Sequence, residues 1–311
     1  MNTETLKVYR EGRPTYLDTI TVSGTTITLH GSLLRTAKVH DEWFNTPESP
    51  GDISRFLRQE RLADLFTFWQ LPPDVSATYD FPMEWVAISA LPLTSYEHWF
   101  TDQIRKEVRK NIKKSARRGV EIRRIEFDDD LVSGITRIFN EAKVRQGRLF
   151  WHYGKGAREV KAEMGQDLER SHFIGAYFEG ELIGFFKLRL GKCFAQPVVS
   201  LSMLKHRDKY ADTALISEAV KFCSERGLQY LTYGEWRRDS HKEFLESHGF
   251  SKVLLPRYYV ALTPLGSFCL KVGTHKGMKE FLKELPPQPA LRAALTLRSR
   301  WYRWRFGTAK G

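Results

Sequence analysis

The 311-residue sequence carries few cysteines, and its three (Cys193, Cys223 and Cys269) are far apart. With no CxxC pair they frame neither a disulfide scaffold nor a zinc site, and they read as free thiols of a reducing cytoplasm. HExxH and clustered Cys/His are absent, so no metal is expected. No apolar run approaches the ~20 residues of a membrane-spanning helix. The opening residues, MNTETLKVYR, lack the apolar core of a secretory signal. There is no internal repeat and no low-complexity tract. Acidic residues are also short: 37 Asp and Glu against 49 Lys and Arg give a net charge of +12. That excess points to an anionic partner, either nucleic acid, an acidic membrane surface or an anionic substrate, or to a solvated basic face. What is present is a core: 41% hydrophobic and 13% aromatic residues are enough to fold one large or two modest domains.

Residues 1–95 read as a smaller α/β half. DTITV and TTITLHG flank Ser23-Gly24 as a hairpin. Asp52–Phe68 carries Ile53, Phe56, Leu57, Leu62, Leu65 and Phe66 at helical spacing, ended by Leu71-Pro72-Pro73. Trp85–Leu91 is a short strand. Residues 96–118 follow as one basic helix starting near Ser95, with the stripe Phe100, Ile104, Val108 and Ile112 opposite paired Lys and Arg. From Val120 to Leu262 the order is strand, two helices, hairpin, strand, helix, strand, short helix, strand. A basic aromatic tail, 266–311, contains LRAALTLRSRWYRWRF at Leu291–Phe306, suited to an anionic membrane, nucleic acid or docking on the main domain.

The hairpin is the most informative stretch. In HFIGAYFEGELIGFFKLRL, His172–Leu190, two alternating strands meet at Glu179-Gly180. Alone it fits any amphipathic hairpin. With the element order around it and the later His248-Gly249-Phe250, it resembles the central hairpin of the GNAT N-acyltransferase fold. The basic helix RKEVRKNIKKSARRGVEI resembles a stretch of the Fem-type peptidyltransferases and their FemAB-like relatives. The resemblance implies an α/β GNAT fold over 119–265, a mixed central sheet flanked by helices, preceded by a smaller GNAT-like half. It implies N-acyl transfer to an amine, with no tightly bound cofactor and with acyl-CoA or aminoacyl-tRNA as co-substrate. It also implies an acceptor related to the cell envelope or a polysaccharide. The other reading is a non-catalytic GNAT-like module on RNA or an anionic membrane, cytoplasmic or peripheral at the membrane.

In GNAT proteins the donor lies where two neighbouring strands part, here Val198–Met203 and Leu228–Tyr233. The resemblance places oxyanion donors at Ser202 and Met203 and a leaving-group acid at Tyr233, which otherwise reads as a strand-end aromatic. Glu235 is a second acid–base candidate or a solvated loop acid, and Trp236 beside it is a substrate contact. Standard acetyltransferases hold the coenzyme A diphosphate on a glycine-rich loop. The corresponding KHRDKYADT, Lys205–Thr213, has no glycine, which disfavours close backbone approach to phosphate. His206, Arg207, Lys209 and Thr213 remain donor-binding candidates. Asn140–Tyr153 mixes polar and aromatic residues: Glu141 as base, Arg145, Gln146 and Arg148 for an anion, Trp151 and Tyr153 for stacking. Arg105, Arg109, Lys110, Lys113 and Lys114 form the polyanion face, with tRNA or an anionic membrane as partner.

Overall fold

In a computed structural model, which describes residues 4–10, 13–236 and 240–276, the chain divides into two compact units, one holding residues up to Val86 and from Leu254 on, the other Ala87–Val253. The elements begin with strands β1 (Glu4–Arg10), β2 (Arg13–Val22), β3 (Thr25–His30) and β4 (Thr36–Val39), helix α1 (Pro50–Gln59), and strands β5 (Leu65–Trp69) and β6 (Met83–Pro92). Then come the short α2 (Tyr96–His98), α3 (Lys106–Arg117), β7 (Glu121–Ile125), α4 (Asp129–Asn140), β8 (Val144–Arg145), β9 (Arg148–Leu149) and α5 (Ala157–Met164). The hairpin β10 (Ser171–Phe178) and β11 (Glu181–Leu190) leads to β12 (Phe194–Ser202), α6 (Ala211–Glu225), β13 (Tyr230–Glu235), α7 (Ser240–Ser247), β14 (Ser251–Ala261) and α8 (Pro264–Lys271). The Leu291–Phe306 stretch lies outside the described residues.

In the first unit the strand order is β1-β2-β3-β4-β5-β14. Its core joins Ile27, Ile53, Leu57, Phe66, Phe68 and Tyr258. Ser23 and Gly24 both take positive φ, the two-residue turn that a DTITV/TTITLHG hairpin requires. The helix expected over 52–68 is half a helix. α1 ends at Gln59, and LFTFW is a strand buried at all five positions. An apolar run with no exposed face cannot be told from a helix by spacing. The last strand, expected to close the main domain, pairs from Arg257 onward with β5 in this unit.

In the second unit the order is β6-β13-β12-β11-β10-β7. Glu179 and Gly180 take positive φ in the β10–β11 turn, as their sequence demands. α4 and α6 bury Leu131, Ile135, Phe139, Leu215, Ile216 and Phe222 against the sheet. The single helix expected over 95–118 is broken. α2 runs into a π turn, Trp99–Gln103, and Ile104 is extended before α3 begins. Two interactions favour the break. Trp99, fully buried, donates its indole N–H to the His248 carbonyl at 2.9 Å. The Arg109 guanidinium donates to the carbonyls of Phe100, Thr101 and Ile104 at 3.2, 2.7 and 2.9 Å, satisfying groups that a continuous helix would have paired itself.

The His248-Gly249-Phe250 motif closes α7. Gly249 has φ +88, and the Phe250 N–H donates to the Leu245 carbonyl at 3.1 Å, a C-cap that favours glycine. His248 is buried; its Nδ1 donates to the Phe244 carbonyl at 2.7 Å and its Nε2 accepts from the Thr213 hydroxyl at 3.3 Å. Burial lowers its pKa from 6.5 to about 4 and lowers those of His152 and His172 as well. Between these values the unfolded chain holds more protons than the folded one, so stability is full above about pH 6.5 and falls as pH drops toward 4. Urea midpoints measured from pH 7.5 to 4.5 are expected to fall across that window. His248→Gln should flatten the fall, and an unchanged slope would remove His248 from the account.

Candidate active site

β12 and β13 are parallel and pair only at Phe194↔Tyr230 and Ala195↔Leu231. Beyond Ala195 the strands part, and the side chains of both edges turn to one cavity of about 630 Å³. β12 contributes Pro197, Val198, Ser200, Leu201 and Ser202, β13 Tyr233, and α7 His241 and Phe244. The fourth wall is the small β8–β9 hairpin. Gln146 and Gly147 both take positive φ in its turn, and it presents Arg145, Gln146, Arg148 and Leu149, followed by Phe150 and Trp151. Its base is fixed, since Asn140 accepts from the Gly154 N–H at 2.7 Å and donates to the Lys155 carbonyl at 2.9 Å. Beneath it Lys155 pairs with Glu163 at 2.5 Å, and the His152 ring stacks on Phe139 at 4.0 Å.

Tyr233 bridges the parted strands by donating its hydroxyl to Ser200 Oγ at 2.5 Å. Burial, and secondarily the nearby Asp212 charge, push its pKa above that of a free phenol, so it holds its proton at neutral pH. Asp212, in the first turn of α6, lines the cavity and accepts from the Ser202 hydroxyl at 3.0 Å. Burial raises its pKa, against the pull of Ser202, Arg145, His241 and Arg207. The ring of His241 lies 5.2 Å from that of Tyr233. A phenol, a half-buried carboxyl group and an imidazole thus meet at one cavity, the combination that proton transfer uses. Asp212 and His241 were not singled out from the sequence. An acid in a helix's first turn reads as an ordinary partner of the helix dipole, and only the fold turns it inward.

Of the other sequence candidates, Ser202, Arg207, Arg145, Gln146, Arg148 and Trp151 line the cavity. Arg207 is exposed, and its side chain has no hydrogen bond or ion pair among the described residues. Several candidates stand elsewhere. The Met203 N–H donates to the Ile183 carbonyl at 2.7 Å, so it is spent in the sheet and not free for an oxyanion. Thr213 is buried against His248. His206 faces Glu181 at 3.6 Å, and Lys209 Nζ sits 4.1 Å over the Phe178 ring. Tyr153, Glu235 and Trp236 do not line the cavity; Lys242 covers the Trp236 ring at 5.7 Å.

Glu141 is not free to act as a base. Its Oε2 accepts from Arg145 Nη2 at 2.8 Å and from the Leu204 N–H at 2.8 Å, and its Oε1 accepts from the Lys205 N–H at 2.9 Å. Arg145 in turn donates to the carbonyls of Ser202 and Ile138 at 2.8 and 3.2 Å. This buried pair ties α4 and the small hairpin to the segment entering α6. On the basic helix, Lys110, Lys113 and Lys114 are exposed, whereas Arg109 caps the preceding turn. Arg105 begins α3, its N–H donating to the Ser247 carbonyl at 3.1 Å.

No family model and no curated protein matches the sequence. Solved structures do match. One is the C-terminal domain of a protein described as a lysylphosphatidylglycerol synthetase from Agrobacterium fabrum, at TM-score 0.56 and 13% identity, covering 83% of this chain and 88% of that one. L-PGS from Bacillus licheniformis matches at TM-score 0.54 and 13% identity, over 82% and 88% of the two chains. FemX matches at TM-score 0.54 and 8% identity, over 82% and 87%. At these identities the likeness is one of fold. The parted strands, the central hairpin and these neighbours together show that the chain has the fold of those proteins, the GNAT-type architecture expected from the sequence.

Proposed function

We propose that the protein is an N-acyltransferase that moves an aminoacyl group from the ester of an aminoacyl-tRNA to an amine acceptor. The observation that carries this reading is the cavity between β12 and β13, with the Tyr233 hydroxyl at its side and Arg148 and Arg207 on its lining. The acceptor ammonium first gives a proton to Asp212 or His241. The amine lone pair then attacks the ester carbonyl carbon to form a tetrahedral oxyanion. Its collapse breaks the bond to the ribose oxygen, which takes the Tyr233 proton and leaves as a hydroxyl, while the nitrogen gives up its second proton to the Tyr233 phenolate and becomes a neutral amide. Arg148 and Arg207 supply bidentate donors for donor phosphates, and Trp151 a surface for base stacking. The coarser reading, acyl transfer by a GNAT-fold enzyme, is shared with acyl-CoA donors. What favours the tRNA ester is the loop Leu204–Lys209, whose first two N–H groups are already taken by Glu141.

Transfer is tested with a radiolabelled pool of charged tRNA and cell-extract amines. Label is expected to move to an amide-linked product only when the protein is present. Transfer from acetyl-CoA and not from charged tRNA would overturn the reading. A parallel thermal-shift titration with acetyl-CoA is expected to leave the melting temperature unmoved. A bound ligand at a hundredfold excess over Kd stabilises by about 2.7 kcal/mol, which would appear as a shift of several degrees.

The basic face of α3 gives a second test of the tRNA reading. Lys106, Lys110 and Lys113 are exposed. Replacing all three by Gln removes three cations and no core residue. Each phosphate contact contributes about 0.9 to the log–log salt slope on a duplex, so the slope of tRNA binding should flatten by roughly 2 to 3. Unchanged affinity and slope in filter binding would mean that this face is only solvated.

A further inference from the structure

A buried charged cluster, His152, Lys155 and Glu163, lies beneath the β8–β9 wall, and none of its side chains lines the cavity. His152 directly follows Phe150 and Trp151, which do. Lys155 Nζ is 3.1 Å from His152 Nδ1 and 2.5 Å from Glu163 Oε2 on α5. The His152, Lys155 and Glu163 side chains are only 9%, 9% and 12% exposed. An ammonium can only donate. His152 Nδ1 therefore accepts from Lys155, and the neutral ring carries its proton on Nε2. The same Nδ1 stands 3.5 Å from Glu163 Oε2, an acceptor it can turn to once protonated.

We propose that His152 is a two-position latch of the cavity wall, which holds Phe150 and Trp151 in place while it accepts from Lys155 and releases them when, protonated, it donates to Glu163 instead. A proton on Nδ1 would point at the ammonium 3.1 Å away, so Lys155 has to withdraw. Lys155 is also part of the wall's base. Its carbonyl accepts from Asn140 at 2.9 Å, and its N–H donates to the His152 carbonyl at 3.3 Å. Withdrawal therefore loosens the turn 150–155. The charged groups acting on the ring are Glu163 of α5 and Lys155 of its own loop. From α4 the ring meets Phe139, and beside it stands Phe150, with Arg145 over that phenyl ring. Beyond Glu163, Lys187 of β11 donates to the carbonyls of Met164 and Gln166 at 2.9 and 2.5 Å. Burial lowers the His152 pKa against the pull of Glu163, and the Lys155 charge lowers it further. The latch is thus shut at neutral pH and opens in acid. This device concerns the shape of the site and holds for any donor or acceptor.

The full chain with 15N-labelled histidine is titrated by NMR from about pH 8 to about pH 5, a range that spans imidazole protonation. The His152 resonances are assigned by their loss in His152→Gln. Wild type is expected to show the Nε2–H tautomer at neutral pH. Lys155→Met frees Nδ1 for Glu163 and should move the midpoint to higher pH. Glu163→Gln removes the second position and should move it to lower pH. Amide exchange, corrected for its intrinsic pH dependence, reads the wall. Protection over 150–155 should fall about tenfold or more across the wild-type midpoint, as in a local opening, with that of β10 and β11 unchanged. In His152→Gln, whose amide oxygen accepts from Lys155 at every pH, protection over 150–155 should stay constant. An Nδ1–H tautomer in wild type would overturn the latch, as would midpoints unmoved in both variants. So would an equal loss of protection in His152→Gln, or in β10 and β11. If Lys155→Met does not fold, the wild-type tautomer and the exchange of His152→Gln still decide the matter.

Discussion

Tyr233→Phe is expected to lower kcat by ~10²–10⁴, the usual contribution of a positioned general acid, with KM little changed. The hydroxyl is the only group lost. The ring keeps its contacts with Phe250 at 5.9 Å, His241 at 5.2 Å and Phe186 at 6.5 Å. The missing hydrogen bond to Ser200 costs about 0.5–1.5 kcal/mol, too little to unfold the unit. Asp212 raises the phenol pKa further, so Tyr233 enters each cycle protonated. The ribose oxygen is a poor leaving group without a proton, and the effect should shrink for a donor whose leaving group is a better one. Comparing wild type and variant on a tRNA ester and on a thioester of the same amino acid separates the roles. A loss of equal size on both would assign Tyr233 to positioning, and wild-type kcat in Tyr233→Phe would end its role as the acid.

Much of this site was legible in the sequence through local rules. Glu179-Gly180 between alternating strands is a hairpin whatever surrounds it, and Gly249 after a short apolar helix is a C-cap. The resemblance pointed to Tyr233 and the polar, aromatic make-up of the loop to the Arg145–Trp151 segment, and residues of both line the cavity. What escaped was set by tertiary contacts. The stripe Phe100, Ile104, Val108 and Ile112 is continuous in sequence, but Trp99 and Arg109 bind groups that only a broken helix offers. Leu65–Trp69, buried on both faces, lost the alternation that marks a strand. Glu141 looked like a base because it neighbours the arginines. Its three donors come from Arg145 and, more than sixty residues along the chain, from Leu204 and Lys205, and no spacing rule reveals them.

That same pair carries the largest expected loss of stability. Arg145→Met is expected to cost about 3–5 kcal/mol, because removing one partner of a buried ion pair leaves the other charge uncompensated. Arg145 and Glu141 side chains are only 10% and 11% exposed, so water does little to screen the loss. Met fills much of the volume over the Phe150 ring, which the guanidinium overlies at 5.1 Å. What disappears is the charge and the donors to the Ser202 and Ile138 carbonyls. The double variant Arg145→Met/Glu141→Leu should be less destabilised than the single one, since no buried charge is left alone, although the Leu204 and Lys205 amides lose their acceptor. Urea unfolding of the three proteins measures the coupling directly as the departure from additivity. If the double variant is destabilised by the sum of the two single changes, the pair is not coupled, and the link between α4 and the segment entering α6 rests on the backbone hydrogen bonds alone.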